Sequence, residues 1–158
     1  MSADEGYMER ALLLAEQAYS HGEVPVGAIV VIDGIIVGEG WNKPVSSCDP
    51  TAHAEMVALR DAASRIGNYR LNNATLYVTI EPCTMCAGAL VHARVGRLVY
   101  GACEPKSGAV DSNSKALKGA HLNHQVLVTP GILGSRCAQL MSSFFKMRRQ
   151  QKKEKTNQ

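Results

Sequence analysis

The chain has 158 residues, 46% hydrophobic and 20% charged, with a net charge of +3. That is the length of one domain with a sizeable core and the composition of an ordinary globular protein. It excludes a membrane protein of the helical kind, since no apolar run approaches the roughly 20 residues a span needs.

The start of the chain, with Asp4 and Glu5, does not read as a signal peptide. Residues 3–21 read as an amphipathic helix: Met8, Ala11, Leu12, Ala15, Ala18 and Tyr19 recur at helical spacing, and Ser2 with Glu5 forms a capping box. His21 and Gly22 end it. Val24 to Ile32 is a nearly continuous apolar run, as expected of a strand buried on both faces. Asp33-Gly34 is a hairpin signal, so Ile35 to Gly40 should return antiparallel. Asn42 follows in a loop, where by itself it reads as a turn residue before Pro44.

Asp49-Pro50-Thr51 introduces a helix that runs from His53 to Gly67-Asn68 with Met56, Val57, Leu59, Ala62, Ala63 and Ile66 on its apolar side. A strand over 75–80 leads to Pro82, placed to open a helix that continues to about Arg94. Arg97 to Gly101 is a further strand, 101–111 a turn-rich loop, and 112–118 a weak helical signal. Gln125 to Thr129 reads as the last strand and Ile132 to about Gln151 as the terminal helix. Helices falling between strands imply a layered mixed sheet with helices on both faces. No repeat or linker divides the chain, so residues 1–158 read as one domain with a basic tail from about 146.

The chemistry concentrates in His53-Ala54-Glu55 and Pro82-Cys83-Thr84-Met85-Cys86. Cys83 and Cys86, three apart, share one face of a helix, and a helix start favours thiolates. With His53 they supply three ligands to a tetrahedral zinc, leaving one position open, as catalytic zinc requires. Such a metal lowers the pKa of a water to about 7. Glu55, beside but not on the metal, is suited to move that water's proton. The expectation is metal-assisted hydrolysis with one zinc ion per chain.

H-x-E…P-C-x-x-C is the signature of the zinc deaminases, and the roles just given are those of that signature. The chain also resembles the bacterial tRNA-specific (wobble) adenosine deaminases over residues 7–150. The shared stretches include 23–28, Gly38-Glu39-Gly40-Trp41-Asn42, 49–55, 75–79, Glu81-Pro82-Cys83, 85–90 and Phe144-Phe145. The resemblance implies a three-layer α/β/α sandwich of the cytidine-deaminase-like kind, with a five-stranded mixed sheet and zinc between the N-termini of the two ligand-bearing helices. It implies hydrolysis of the wobble adenosine of a tRNA anticodon loop, in an arginine tRNA, to inosine and ammonia by a homodimer, to which the cysteine usage below adds a cytoplasmic setting. It places Val26 and Asn42 in the pocket, the Ala54 backbone amide on the base, and Lys106, Phe145 and Arg149 on the flanking nucleotides. Glu104 departs from the pattern, which has aspartate in a loop expected to touch the 2′-hydroxyl of the preceding nucleotide.

Three other readings stand beside this one. Cys48 could close a Cys₃His structural zinc in an RNA-binding module, though Glu55 would then have no task. A strand followed by C-x-x-C at a helix start is also a thiol-redox context, leaving His53 and Glu55 unused. A free nucleobase or nucleoside deaminase would use the same zinc chemistry. Charge favours RNA: residues 146–158 hold Lys146, Arg148, Arg149, Lys152, Lys153 and Lys155 against Glu154, so the other 145 residues carry a net −2. Five cysteines, an odd number with two assigned to metal, indicate a reducing compartment. Cys103 and Cys137 read as partly buried thiols, and His92, His121 and His124 as structural or solvated.

Overall fold

The first helix forms where its capping residues predict it. In the computed structural model, which describes residues 1–157, α1 spans Ala3–Ser20. The Ser2 hydroxyl accepts from the Glu5 N–H and the Glu5 carboxylate accepts from the Ser2 N–H, each at 3.2 Å. That reciprocal pair satisfies two backbone donors that a helix start leaves open.

β1 (Gly27–Ile32) and β2 (Ile35–Trp41) pair antiparallel across Asp33 and Gly34, whose φ angles are 51° and 76°. Two consecutive positive φ values are what a two-residue type I′ hairpin needs. The strand starts later than the apolar run, because Pro25 has no N–H for a ladder and the Val26 N–H turns back to the Val24 carbonyl. α2 (Ala54–Ile66) ends on Gly67 in the left-handed region, and β3 (Thr75–Ile80), α3 (Thr84–His92) and β4 (Arg97–Ala102) follow. β5 is short, Leu127–Thr129, and α4 runs Gly134–Thr156.

The weak helical signal over 112–118 forms no helix. Lys115 sits in the left-handed region (φ 51°), and the Ala116 N–H, which a helix would give to the Ser112 carbonyl, goes to the Ala109 carbonyl, so the ladder never starts. α4 outruns its expected end at Gln151, its last residues being Lys, Gln and Glu with no Gly or Pro to stop it.

The sheet order is β2-β1-β3-β4-β5, with β1 antiparallel to β2 and β3, and β4 parallel to β3 and β5. α1 and α4 cover one face, burying Met8, Ile29, Tyr77, Val99 and Cys137. α2 and α3 cover the other over Val30, Leu76, Val78 and Leu98. This is the expected three-layer sandwich with a five-stranded mixed sheet. One polar network ties distant parts of the chain together. Arg97 donates to both carboxylate oxygens of Asp4 (2.9 and 2.7 Å) and to the Thr129 hydroxyl, and the Tyr77 hydroxyl donates to Asp4 at 2.7 Å. The Arg97 guanidinium holds the Asp4 carboxyl below its ordinary pKa, and the Tyr77 hydroxyl bond adds to that.

Gly38 and Gly40 decide how close α2 comes to the sheet. A Cβ at Gly40 would stand 2.7 Å from the Ala54 carbonyl oxygen and the Ala58 nitrogen, and one at Gly38 would stand 2.5 Å from the Ala58 carbonyl oxygen. No side chain fits there, so the helix lies directly on β2 and its first turn is fixed by backbone contact. Gly40→Ala should therefore cost about 1–3 kcal/mol, as overpacking does, and should weaken metal retention because the displaced turn carries His53. Gly88→Ala, at a helical glycine with open space around it, should be neutral or stabilising by about 0.5–1 kcal/mol. Denaturant unfolding of the two variants under identical conditions checks this; equal stability would sink the packing argument.

Candidate metal and active site

His53 and Cys83 are the N-cap residues of α2 and α3, with extended backbones (φ −69°, ψ 153° and φ −78°, ψ 177°). Neither caps its helix with its side chain. Ser, Thr, Asp or Asn would be favoured at both positions, so the two residues leave helix ends uncapped and turn toward each other instead. The His53 Nδ1 lies 3.5 Å from the Cys83 Sγ and 3.6 Å from the Cys86 Sγ. A nitrogen about 2.05 Å and a sulfur about 2.3 Å from a tetrahedral zinc are about 3.5 Å apart. The three donor atoms, within 4.8 Å of one another, thus have the spacing and the chemistry for zinc.

One detail differs from expectation and one agrees with it. Pro82 precedes the N-cap and does not open α3 itself, so Cys83 is the cap and only Cys86 lies within the first turn. Cys48 is exposed and lies outside the donor group, which leaves the His53, Cys83 and Cys86 set with three protein ligands among the described residues.

Electrostatics bind these residues into one unit. Cys83 is drawn down to about 3, first by the hydrogen bond from the Cys86 thiol and then by His53. Cys86 is driven up, because it shares that proton with Cys83 and is buried. His53 is raised by its bond to the Cys83 sulfur, which outweighs burial. A cation bound by the two sulfurs would take both as thiolates and release their protons. Glu55, in the first turn of α2 and 3% exposed, has its pKa raised by burial and, less strongly, by the negative charge of Cys83. A buried carboxyl whose pKa is raised in this way is suited to take and return protons beside such a cluster.

The expected contact residues fall into four groups. The Asn42 N–H donates to the Val26 carbonyl at 3.0 Å, so the two residues share one buried corner where β1 begins and β2 ends. Ala54 is fully buried at the first position of α2, where a helix N–H has no intrahelical acceptor. Glu104 and Lys106 lie in the loop after β4, where the Glu104 carboxylate accepts from the Lys106 N–H at 3.0 Å. Phe145 and Arg149 lie on α4, in the layer opposite α2 and α3, both exposed. Their helix is anchored by Phe144, edge-on to Tyr19, and by Arg148, which donates to the Gly22 carbonyl. Cys103 is exposed, Cys137 fully buried, and the His124 Nε2 is paired with the Val95 carbonyl at 2.7 Å, a structural bond.

Two buried carboxylates near the site carried no role in the sequence reading. Glu23, 2% exposed, accepts from the Val45 and Ser46 N–H groups and so fixes the loop after Asn42. Burial pushes its pKa up, but the bonds from Ser46 and Val45 outweigh that and hold it below the ordinary value. Glu81 does the same for the loop after β4. The available signal was an acid directly beside an apolar strand run, a place where a charge stays only if paired.

The profile of the cytidine and deoxycytidylate deaminase zinc-binding region matches residues 1–102. A tRNA-specific adenosine deaminase from Haemophilus influenzae is 52% identical over 151 residues, covering 95% of this chain and 87% of that protein. A structure solved in a study of A-to-I editing by tRNA:A34 deaminases at the wobble position superposes with a TM-score of 0.83 at 42% identity, covering 85% of this chain and 98% of that one. The guanine deaminase of Bacillus subtilis is also similar, at 42% identity and a TM-score of 0.60, but only over 63% of this chain and 64% of its own. The zinc donor set and the near full-length likeness agree, and the chain belongs to the tRNA-specific adenosine deaminases.

Proposed function

We propose that this protein hydrolyses the wobble adenosine of a tRNA anticodon loop, an arginine tRNA in the first instance, to inosine and ammonia. The observation that carries the reading is the His53, Cys83 and Cys86 spacing with Glu55 buried beside it. Zinc bound by those three residues would supply a water with a pKa lowered to about 7 as nucleophile. Glu55 takes the proton from that water and delivers protons to the ring nitrogen and then to the leaving amino group, so one carboxyl serves both transfers. The base has to leave its stack to reach the site, which costs least in a single-stranded loop. Asn42, Val26 and the Ala54 amide receive it, and Glu104, Lys106, Phe145, Arg149 and the tail hold its neighbours. The free thiols fit a cytoplasmic, reducing setting. Residues 1–158 act as one domain, in a homodimer. The likeness to a guanine deaminase favours a second reading, action on a free nucleobase. Metal content per chain, with inosine formation on a synthetic anticodon stem-loop and ammonia release from free guanine measured side by side, separates the two.

Glu55→Ala should keep one zinc per chain and its fold but lose at least about 10²–10⁴-fold in rate, the range for general acid–base help. Cys83→Ser and Cys86→Ser should lose the metal, while Cys48→Ser should keep metal and rate. Retained turnover in zinc-loaded Glu55→Ala protein would remove the carboxyl from the mechanism.

Glutamate at 104 reaches one methylene further than the aspartate usual in the family, and one of its oxygens already closes the turn onto Lys106. Selection against DNA should therefore be weaker here than in the Glu104→Asp variant. Rates on matched RNA and DNA stem-loops for both proteins decide it; equal RNA/DNA ratios would exclude Glu104 from sugar recognition.

The basic side chains Lys152, Lys153 and Lys155 lie on the exposed last turns of α4, beyond the Arg148 anchor. Reversing all three to glutamate should leave the fold intact, weaken RNA binding, and flatten its salt dependence by about 0.7 in log–log slope per lost phosphate contact. The single-turnover rate at saturating RNA should change little. An unchanged affinity and slope would reduce the tail to a solvated helix end.

A further inference from the structure

Glu81 stands between the last residue of β3 and Pro82, two positions before Cys83, and is 2% exposed. No lysine or arginine is among its hydrogen-bond partners. Its Oε1 accepts from the Glu104 N–H (3.0 Å) and the Ser112 hydroxyl (2.5 Å). Its Oε2 accepts from the N–H groups of Val110 (3.1 Å), Asp111 (2.9 Å) and Ser112 (2.9 Å). A carboxylate offers about four lone-pair sites, so this one is saturated, and the donors come from both ends of a single loop. The loop is wound onto the charge as backbone nests are wound onto anions. Gly108 allows it: a Cβ there would lie 2.4 Å from the Glu81 Cδ and 2.5 Å from the Glu104 carbonyl oxygen. A second tie runs through the same segment, from the Ala109 N–H to the Pro82 carbonyl at 2.8 Å.

The two ties join a metal donor to a recognition loop. Glu81 and Pro82 lead directly into Cys83, while the loop they hold presents Glu104 and Lys106. We propose that Glu81 is a positioning residue for the polynucleotide: it sets where the 104–112 loop stands relative to the metal cluster, and hence the register in which RNA is held. This rests on the reading that the loop meets RNA. Because both Glu81 oxygens are taken up by the loop and Glu81 is outside the metal-donor group, its removal should act on substrate capture and leave bond cleavage nearly alone.

The test uses the full-length, zinc-loaded protein and three measurements: zinc per chain, amide hydrogen exchange in the 104–112 loop, and steady-state kinetics on a synthetic anticodon stem-loop. Glu81→Gln keeps the shape but turns an NH₂ group toward backbone donors. It should retain its zinc, speed exchange at Glu104, Val110, Asp111 and Ser112 by about tenfold or more, and raise KM by about tenfold with kcat within about threefold. Ser112→Ala, which removes only the hydroxyl donor, should move both quantities the same way by about two- to fivefold. Unchanged exchange in Glu81→Gln would overturn the proposal. So would deprotected amides with an unchanged KM, a loss confined to kcat, or a loss of zinc. If Glu81→Gln does not fold, Ser112→Ala carries the test, and a change in only one of exchange and KM overturns the role. A parent protein that binds zinc but leaves the stem-loop unmodified would refute the functional reading, while the exchange arm still decides whether Glu81 holds the loop.

Discussion

Three helices in this protein begin on residues that do not cap them, and the site is built at two of those ends. An uncapped N-terminus leaves backbone N–H groups without partners, a cost on the order of 1 kcal/mol each time a serine or aspartate cap is absent. His53 and Cys83 accept that cost at facing helix ends and spend their side chains on each other and on Cys86. The same helix ends favour negative charge, so the dipoles that lose a cap gain a thiolate. The arrangement holds only while the two helix starts stay in register, and each is fixed differently. α3 inherits its place from β3 through the short Glu81-Pro82 link, and α2 is pressed onto β2 through Gly38 and Gly40.

The donor triad and its neighbouring acid were legible in the sequence because their chemistry is local: an H-x-E and a P-C-x-x-C admit few other uses. The strands and helices were legible for a similar reason, with boundaries missed where backbone groups find partners far along the chain. In the segment 112–118 no helix forms: Lys115 is left-handed, the Ala116 N–H goes to the Ala109 carbonyl, and the Glu81 carboxylate, about thirty residues earlier, pins the start at Asp111 and Ser112. No window of local propensity contains that information. Val24 and Pro25 look like strand, yet the proline denies the ladder a donor. The spacing of Asn42 and Val26 in one corner was likewise invisible to periodicity, being set by the antiparallel register of a hairpin across Asp33-Gly34.

Around the metal donors, the walls are made of loops held by buried acids. Glu23 fixes the segment after β2 and Glu81 the segment after β4, both mainly through backbone N–H groups. An unpaired buried carboxylate would be costly, so these loops cannot drift away without exposing the acid to an unsatisfied interior. Loops usually trade order for freedom; here two of them are each tied to a buried carboxylate. That suits a site which must receive one splayed base at a defined point, since a misplacement of about 1 Å can cost about 10²-fold in rate. α4 differs: its anchors, Phe144 and Arg148, are followed by residues in contact mainly with solvent.

The network of Asp4, Tyr77, Arg97 and Thr129 has a consequence in time. Its members span nearly the whole chain, and a ribosome makes Asp4 long before it makes Thr129. At about 5–20 residues per second, the interval is on the order of ten seconds. Throughout it the first helix can form its capping box and its turns, yet its acid has no arginine until residue 97 appears and no finished network until residue 129. The polar ties of the first helix are therefore completed long after its apolar packing on β1 and β3 can form, and a nascent chain halted before β5 would hold that helix by packing without the finished network.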